Sequence, residues 1–466
     1  MALGVPFSRP VSTDPLPAPH WVAWNSSLAT TLGLAPEATS SALTALSGGH
    51  LESSVPHCSV YAGHQFGHWA GQLGDGRAHT LGRLAHDSSS QEIQLKGSGP
   101  TPYSRRGDGR AVLRSSIREY LASEAMAGLG IPTTRALAIT GSPLPVWRET
   151  PETAAIVTRV APSFLRFGHF EHFTAQGHEA ALRRLVRFAI EQHYPDLADE
   201  PHAALALLAR VAERTAELVA RWQAVGFCHG VLNTDNMSLL GLTLDYGPFG
   251  FMDRFSFAHV CNHSDTHGRY AYDQQPHVGL WNCAALAQAL MPLIGDEEGI
   301  EAALEGYAQR YATAWLGHFR AKLGLAQKED DDKALIDELL GHMDRLGLDF
   351  TRVFRQLSVP SEGSATSSLA QDADWALWAQ RYRSRLERET ESALVRSHRM
   401  RQVNPRFVLR NYLAESAIRA AQQGDFEPVA ELRRVLERPF DEHPEHEAWA
   451  AEPPDWACSL TLSCSS

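Results

Sequence analysis

His-Gly-Val-Leu-Asn-Thr-Asp-Asn over residues 229–236, followed by Asp-Tyr-Gly over residues 245–247, is the stretch from which the fold is inferred. Asn236 and Asp245 offer oxygen ligands, which suit Mg²⁺ held mainly by phosphates and water. Asn, Thr, Asp and Gly are also common in ordinary turns, so a polar turn without a ligand is the alternative. The other motifs along the chain decide between these two interpretations.

The spacing within this stretch is that of a phosphotransferase catalytic loop. Protein kinases carry H-R-D-x-x-x-x-N and then D-F-G, and His229 and Asn236 keep that spacing. Val231 stands where the kinase Asp accepts a proton, which a valine cannot do, and a carboxylate returns at Asp235. The pattern predicts a catalytic loop with a relocated base, followed by a metal-holding turn at Asp245.

Length and composition indicate an ordinary globular protein of two or three domains or lobes, because 466 residues exceed a single compact core. The formal net charge of −12 argues against nonspecific nucleic-acid binding. No apolar run approaches the roughly 18 residues of a membrane span, and residues 1–10 lack a signal-peptide pattern. Six scattered cysteines without a C-x-x-C pair favour a reducing compartment, so we expect a cytoplasmic protein.

Residues 61–110 carry features of a phosphate-binding region. Gly74 and Gly76 allow close backbone approach to phosphates, and Arg77 adds a positive charge, although a tight hairpin explains the glycines equally well. Apolar alternation predicts a strand over residues 92–96 that returns from this loop and ends near Lys96. An exposed strand lysine is the alternative for Lys96. The loop that follows reverses the overall charge sign and contains Arg105, Arg106, Asp108, Gly109 and Arg110.

A helix is predicted from Ser116 to Leu129, where Gly-Ile-Pro stops it. Glu119 lies three residues after Ser116, so it either caps its own helix or pairs with Lys96. Residues 133–160 predict short strands with turns at Gly-Ser-Pro (141–143) and Glu-Thr-Pro (149–151). Arg159 and Arg166 follow in sequence, and either could be a solvated surface residue.

From about residue 170 the pattern becomes helical, and a long helix over residues 202–224 stops at Gly226 and leads directly to His229. Residues 253–278 predict a long loop in the position of a kinase activation segment. Its Cys261, His263, Asp265 and His267 lack ordered metal-ligand spacing, so zinc is a minor alternative. The remaining predictions are helical stretches over 280–320, 333–357, 371–400 and 409–436, with a Ser-rich linker over 358–368.

Together these motifs resemble the selenoprotein O family over nearly the whole chain. The motifs that carry the resemblance are Gly74-Asp-Gly-Arg77, Leu95-Lys96-Gly-Ser-Gly, Gly107-Asp108-Gly109-Arg110, residues 229–236 and Asp245-Tyr-Gly. The resemblance implies an α+β, protein-kinase-like bilobal fold with a β-rich N-lobe and a mostly helical C-lobe. The implied divisions are an N-terminal extension (1–60), an N-lobe (61–165), a C-lobe (166–450) and a C-terminal redox tail (451–466).

The resemblance also implies an activity, the transfer of AMP from ATP to Ser, Thr or Tyr hydroxyls of proteins. Asp235 matches the general base, and Asn236 and Asp245 match the ligands of Mg²⁺ or Mn²⁺. ATP in this family is thought to bind reversed relative to kinases. The implied nucleotide-binding residues are Gly74, Gly76, Arg77, Lys96, Glu119, Asp108, Gly109, Arg159, Arg166 and Asp245.

Other functions stay open at this stage: transfer of UMP, an ordinary kinase that transfers the γ-phosphate, or a nucleotide-binding scaffold without catalysis. The expected partners are protein substrates, without nucleic acid or membrane, and the chain is expected to be a monomer. The chain ends in Cys464-Ser-Ser, where eukaryotic family members carry selenocysteine. Because Cys261 lies in the loop near the acceptor site and Cys464 lies on a terminal tail, we predict a redox pair between them.

Overall fold

A computed structural model describes residues 3–52, 54–87, 89–359 and 372–462 of the chain. Most of the predicted Ser-rich linker and Cys464 lie outside these residues. The strands are β1 (Ser8–Pro10), β2 (His20–Trp24), β3 (His57–Ser59), β4 (Ala62–Gln65), β5 (His68–Gln72), β6 (Ala78–His86), β7 (Ser89–Lys96), β8 (Ala111–Val112), β9 (Arg135–Trp147), β10 (Pro151–Ala161), β11 (Phe227–Cys228) and β12 (Gly250–Phe251).

The helices follow mainly in the second part of the chain, so the protein is α+β. They are α1 (Ser26–Thr31), α2 (Ser40–Leu46), α3 (Leu113–Gly128), α4 (Phe167–Ala175), α5 (Glu179–His193), α6 (Ala203–Ala224), α7 (Gln275–Ile294), α8 (Glu297–Lys322), α9 (Asp332–Leu346), α10 (Phe350–Leu357), α11 (Ala373–Leu386), α12 (Ala393–Arg401), α13 (Asn411–Gln422) and α14 (Glu427–Leu436). The predicted helical stretches are confirmed, although four of them are each divided in two.

An eight-stranded antiparallel sheet has the order β1-β3-β6-β7-β10-β9-β2, with β8 paired to β10. Residues 8–59, which the sequence assigned to an N-terminal extension, supply both edges of this sheet through β1, β3 and β2. The predicted strand that ends near Lys96 is confirmed as the end of β7. Lys96 pairs with Ala78 on β6 and with Val157 on β10, so it lies at the centre of the sheet.

The predicted turn at residues 141–143 is wrong, because β9 runs straight through it to Trp147. Pairing with β2 extends only to Gly141. Beyond that residue β10 is the one neighbour of β9 among the described strands, and prolines are tolerated in such an edge segment. The second predicted turn, at residues 149–151, is confirmed as the connection between β9 and β10.

Helix α3 packs against β9 and β10 on one side and against α13 and α14 on the other. It begins at Leu113, three residues before the predicted start, and Val112 precedes it without a side-chain cap. Glu119 is therefore inside the helix and only 2% exposed. The capping-box interpretation of Glu119 is wrong, since the apolar environment between sheet and helices fixes the start of α3 instead.

The helical part positions the catalytic stretch. Helix α6 ends at Ala224, as predicted, and β11 follows and leads to His229. Residues 272–294, which include α7, are long and apolar enough to cross a membrane by length and composition, contrary to the sequence analysis. In the fold α7 packs against α4, α6 and α8. Its Gln275 and Asn282 donate hydrogen bonds to the carbonyls of Phe227 and Leu232, as expected of a core helix.

Candidate active site

A cleft of about 850 Å³ lies between the sheet and the catalytic stretch. The C-terminal end of β7, helix α3 and β10 form one wall, and the 229–236 and 245–247 stretches form the other. Every residue that the sequence predicted for catalysis, nucleotide binding or metal binding lines this cleft. They are Gly74, Gly76, Arg77, Lys96, Asp108, Gly109, Glu119, Arg159, Arg166, Asp235, Asn236 and Asp245.

The carboxylate of Asp245 is the meeting point of three cations. Arg159 Nη1 lies 2.5 Å from Asp245 Oδ1, Lys96 Nζ lies 3.5 Å from the same atom, and Arg166 Nη1 bonds Oδ2. Lys96 also pairs with Glu119 at 2.6 Å. The interpretations of Lys96, Arg159 and Arg166 as exposed residues are wrong, because both arginines are 2% exposed and the Lys96 side chain 12%.

The electrostatics of this cluster follow from burial and mutual contact. Burial alone would raise the pKa of Asp245, but Arg166, Arg159 and Lys96 hold that pKa well below its usual range. Burial lowers the pKa of Lys96, and the charges of Glu119 and Asp245 oppose that effect. The cluster therefore keeps three positive charges at the closed end of a cleft, where polyanionic phosphates could be bound with little competing water.

The backbone places Asp245 at a positive φ of 59°, a conformation that few residues other than glycine adopt and that Asp tolerates better than most. The next residue, Tyr246, is buried, and its hydroxyl shares a hydrogen bond with Thr133 Oγ1. Its ring packs edge-on against Phe249, with centroids 5.5 Å apart. These contacts anchor the turn, so the Asp245 carboxylate is held toward the cations.

The catalytic stretch is built around the 3₁₀ turn Thr234–Asn236. His229 is buried, and its Nε2 hydrogen-bonds the carbonyl oxygen of Leu244 at 3.0 Å, which ties the stretch to the Asp245 turn. Arg166 Nη1 donates to the backbone carbonyl of Asp235 at 2.8 Å. One guanidinium therefore contacts both the proposed base and the proposed metal ligand.

Asp235 is 8% exposed, and its Oδ1 is buried without a hydrogen-bond partner. Its Oδ2 accepts a hydrogen bond from Gln65 Nε2 at 3.1 Å. Burial raises the pKa of Asp235 to about 6, while the Gln65 hydrogen bond and Arg166 lower it. A carboxylate with a raised pKa and one free oxygen is a better proton acceptor than a solvated Asp.

The sequence analysis kept a tight hairpin open for the glycine-dense residues, and β4 and β5 form one, but its contacts with the catalytic stretch were not predicted. The backbone N–H of His64 donates to Thr234 Oγ1 at 2.7 Å, and that of Phe66 donates to Asn233 Oδ1 at 3.1 Å. A Cβ at Gly63 would lie 3.0 Å from Asp235 Oδ1. The dense glycines of residues 61–76 thus reflect, in part, close approach to the catalytic turn.

A buried ion pair supports the same hairpin. His64 Nδ1 lies 2.6 Å from Glu171 Oε1, and Glu171 is only 4% exposed. Burial raises the pKa of Glu171, opposed by hydrogen bonds from Thr234 and His64. Neither His64 nor Glu171 stands in a recognisable motif, so only the three-dimensional contact reveals their proximity to Asp235.

The mouth of the cleft is formed by the basic loop of residues 101–110. Asp108 accepts hydrogen bonds from Arg148 at 2.8 and 3.0 Å, and Arg148 lowers the pKa of that carboxyl. Gly109 has φ +71°, and a Cβ there would lie 2.1 Å from the Gly99 backbone, so only glycine fits. Arg110 does not belong to an open loop as predicted, because it is buried and paired with Asp14.

The donor set fits a hard divalent cation that also binds phosphates. Asn236 Nδ2 donates to the Val231 carbonyl at 3.1 Å, so its Oδ1 is the amide atom that could hold a metal. The Asp245 carboxylate supplies the second oxygen. Within the described residues no group of three or more His, Cys, Asp or Glu could hold a metal. Two protein oxygens suit Mg²⁺, which keeps waters and phosphates, whereas the zinc alternative at residues 261–267 loses support.

Comparison with known proteins identifies the family. Residues 1–437 match the family model described as "Protein adenylyltransferase SelO", so the chain belongs to that family. The chain is 54% identical over 490 residues to protein nucleotidyltransferase YdiU of Burkholderia pseudomallei (strain 1710b), and 53% identical over 492 residues to that of Burkholderia thailandensis. It is 51% identical to that of Paraburkholderia xenovorans. Each comparison covers 100% of this chain and 94% of the relative.

The roles of the two aspartates predict different effects on nucleotide binding. We expect Asp245→Ala to abolish the gain in ATP affinity that Mg²⁺ gives, because a metal ligand acts on bound phosphates in the ground state. Asp235→Ala should keep most of that gain, since a base acts mainly in the transition state. Calorimetric titration of ATP into each variant, with and without Mg²⁺, measures this gain in affinity. Equal weakening in the two variants contradicts the assigned roles.

Proposed function

We propose that this protein transfers AMP from ATP to a Ser, Thr or Tyr hydroxyl of an acceptor protein and releases pyrophosphate. Its family membership makes it an enzyme, a nucleotidyltransferase that acts on proteins. The observation that carries the finer proposal is the convergence of Lys96, Arg159 and Arg166 on Asp245, next to the buried carboxylate of Asp235.

We further propose that the fold is a bilobal, protein-kinase-like arrangement with the cleft between its lobes. Three features support it: a central-strand lysine paired with a glutamate on the helix behind the sheet, a helical part that begins near residue 166, and two polar turns that face the lysine. The predicted division into N-lobe and C-lobe is retained as part of this proposal.

The position of the cations supports placing the leaving group at the closed end of the cleft. Arg159 and Arg166 are almost fully buried there, and Arg159 is held in place by a hydrogen bond to Gln94. Buried arginines bind multiply charged phosphates through several hydrogen bonds. With the β- and γ-phosphates there, the α-phosphate lies nearer the acceptor, and Trp147, exposed at the mouth, lies toward the nucleoside end.

The residues then have complementary roles in a substitution at the α-phosphorus. Asp235 takes the proton of the acceptor hydroxyl, whose oxygen forms a bond to the α-phosphorus. The bond from that phosphorus to the bridging oxygen of the β-phosphate breaks, and pyrophosphate leaves with the electron pair. Lys96, Arg159 and Arg166 stabilise the charge that develops on the leaving group.

A divalent cation, Mg²⁺ or Mn²⁺, would be held by Asn236 Oδ1 and the Asp245 carboxylate and would neutralise phosphate charge when bound. Asp245 also orients the three surrounding cations, so its carboxylate contributes to the site in two ways. The hydrogen bond from Asn236 Nδ2 to the Val231 carbonyl fixes the orientation of the amide.

We also propose that the enzyme acts as a monomer in the cytoplasm. Cys58, Cys228 and Cys283 are buried free thiols among the described residues, which is common in reducing compartments. The acidic surface charge supports solubility rather than binding to nucleic acid.

The central prediction concerns which phosphate is transferred. ATP labelled on the α-phosphate should label proteins of a cell extract in the presence of Mg²⁺ or Mn²⁺, with a mass gain of one AMP. ATP labelled on the γ-phosphate should leave them unlabelled. Label from the γ-position alone indicates an ordinary kinase, label from neither position indicates a scaffold, and UTP used in preference to ATP indicates transfer of UMP.

The hydrogen bond between Gln65 and Asp235 predicts a role of Gln65 in orienting the base. We expect Gln65→Leu to lower kcat for AMP transfer by about tenfold, less than the roughly 10²–10⁴-fold that general acid–base catalysis contributes, because Gln65 orients the base and is not itself the base. The affinity for Mg²⁺·ATP should be unchanged, because the hydrogen bond of Gln65 goes to the proposed base and to neither of the proposed metal ligands. Steady-state kinetics and nucleotide titration measure these two quantities, with His86→Ala as a control at a partly exposed residue at the far end of the sheet. A wild-type kcat for Gln65→Leu contradicts it.

The predicted redox pair between Cys261 and Cys464 remains a prediction. Leu462, two residues before Cys464, accepts a hydrogen bond from the backbone N–H of His263 at 2.9 Å. Cys261 itself lies next to the catalytic stretch, where its Sγ is 3.5 Å from the Cys228 carbonyl. Under oxidising conditions we expect non-reducing peptide mapping to recover one disulfide-linked peptide that contains both cysteines. Recovery of both as free thiols contradicts the pair.

A further inference from the structure

A second cleft, of about 870 Å³, lies on the other side of the β4–β5 hairpin from the nucleotide cleft. Its walls come from the hairpin turn, from the loop before α7 and from the first turns of α7. We call it the aromatic cleft and define it by Phe66, His68, Arg269, His277 and Trp281. Phe66 lines both clefts, so the two are adjacent at this residue.

Two exposed tryptophans flank this junction. Trp281 is 37% exposed and Trp69 is 47% exposed, although tryptophan is usually mostly buried in a folded protein. The ring of His64 lies between them, with centroids 5.1 Å from Trp69 and 5.3 Å from Trp281. Exposed, fixed tryptophans are typical of surfaces that bind another polypeptide.

Hydrogen bonds connect the walls of the aromatic cleft to the stretch that carries the proposed base, Asp235. The backbone N–H of Phe66 bonds Asn233 of the catalytic stretch, and the neighbouring Gln65 side chain bonds Asp235. The Tyr270 hydroxyl donates to the same Asn233 oxygen at 2.6 Å, so the loop wall is joined to the hairpin wall. A polypeptide lying in the aromatic cleft could therefore present a side chain past Phe66 to Asp235.

We infer that the aromatic cleft binds an extended segment of the acceptor protein, with an apolar or aromatic side chain near the modified hydroxyl packed against Trp281. The inference rests on the proposed function, and it adds where the acceptor lies and what chemistry it presents. The nucleotide and the acceptor then approach Asp235 from two clefts that meet at Phe66.

Two charged side chains that line the cleft, Asp265 and Arg269, are engaged within the protein, whereas a third, Asp273, is exposed. The partly exposed ring of Trp281 favours an apolar or aromatic occupant. Both carboxylate oxygens of Asp265 accept backbone N–H groups, from Arg269 at 3.0 Å and from Tyr270 at 2.8 Å. The guanidinium of Arg269 lies over the ring of Trp281, 4.8 Å from its centroid. The rings of Phe66 and Trp281 and the side chains of His68 and His277 form part of the surface that an incoming side chain meets.

The test uses a library of short peptides, each with one Ser, Thr or Tyr at a fixed position and randomised flanks, together with ATP labelled on the α-phosphate and Mg²⁺. Labelled peptides should be enriched in apolar or aromatic residues at a flanking position. Trp281→Ala should lose that preference and raise the KM for a selected peptide by about tenfold or more, as expected for truncation of an interface anchor. Its affinity for Mg²⁺·ATP should stay at the wild-type value.

Two further variants make the result independent of any folding defect. Thr266→Trp adds bulk at an exposed position in the wall of the cleft, without removing an existing core contact, and should also raise the peptide KM. Trp456→Ala is the matched control, since Trp456 is 38% exposed but packs against Tyr412 and Arg419, outside this cleft. It should behave as wild type.

The outcomes separate the inference from the proposed function. Wild-type enzyme that labels proteins or peptides without any flank preference overturns the inference and leaves AMP transfer intact. Unchanged KM values in both Trp281→Ala and Thr266→Trp overturn it as well. Wild-type enzyme that transfers no α-label to any protein or peptide overturns the proposed function itself.

Discussion

The contact of one carboxylate, that of Asp245, with Lys96, Arg159 and Arg166 is the constraint on which the rest of the site depends. Buried charges are stable only when they are paired. The pairing fixes the register of β7 against β10, because Lys96 and Arg159 must reach the same carboxylate from neighbouring strands. It also requires α3 to present Glu119 to Lys96. The same set of charges therefore helps to fix the relative positions of the sheet, of α3 and of the turn that carries Asp245.

The catalytic turn is held from two directions. Arg166 contacts the Asp235 backbone from the nucleotide cleft, and the β4–β5 hairpin contacts the Asp235 side chain through Gln65 from the opposite direction. This arrangement leaves one buried carboxylate oxygen of Asp235 without a hydrogen-bond partner, beside the nucleotide cleft. A base in that position can serve a reaction between a bound nucleotide and a second, separately bound macromolecule. The proposed base therefore stands at Asp235, where Arg166 and Gln65 both contact it, and not at the kinase position that Val231 occupies.

The cleft positions of Glu119, Arg159 and Arg166 were implied only by the family resemblance, whereas local patterns were sufficient to predict the strand that ends at Lys96 and the long helix before His229. Each lies within a short motif whose spacing reflects backbone geometry. The strands of residues 8–59 were not predicted, because Ser8 of β1 pairs with Ser59 of β3 and His20 of β2 pairs with Gly141 of β9, and pairing between residues so far apart in sequence leaves no local pattern. Gln65 and Glu171 were missed for the same reason, since both reach Asp235 or its turn only through tertiary contacts.

The most direct measurement is a crystal structure with Mg²⁺ and an ATP analogue whose α,β-bridging oxygen is replaced by methylene, which blocks transfer. Its central observable is which phosphate lies nearest Asp235. The account predicts the β- and γ-phosphates against Arg159 and Arg166, and the α-phosphate nearest to Asp235 Oδ1. A γ-phosphate nearest to Asp235, with the nucleoside at the closed end of the cleft, would contradict it.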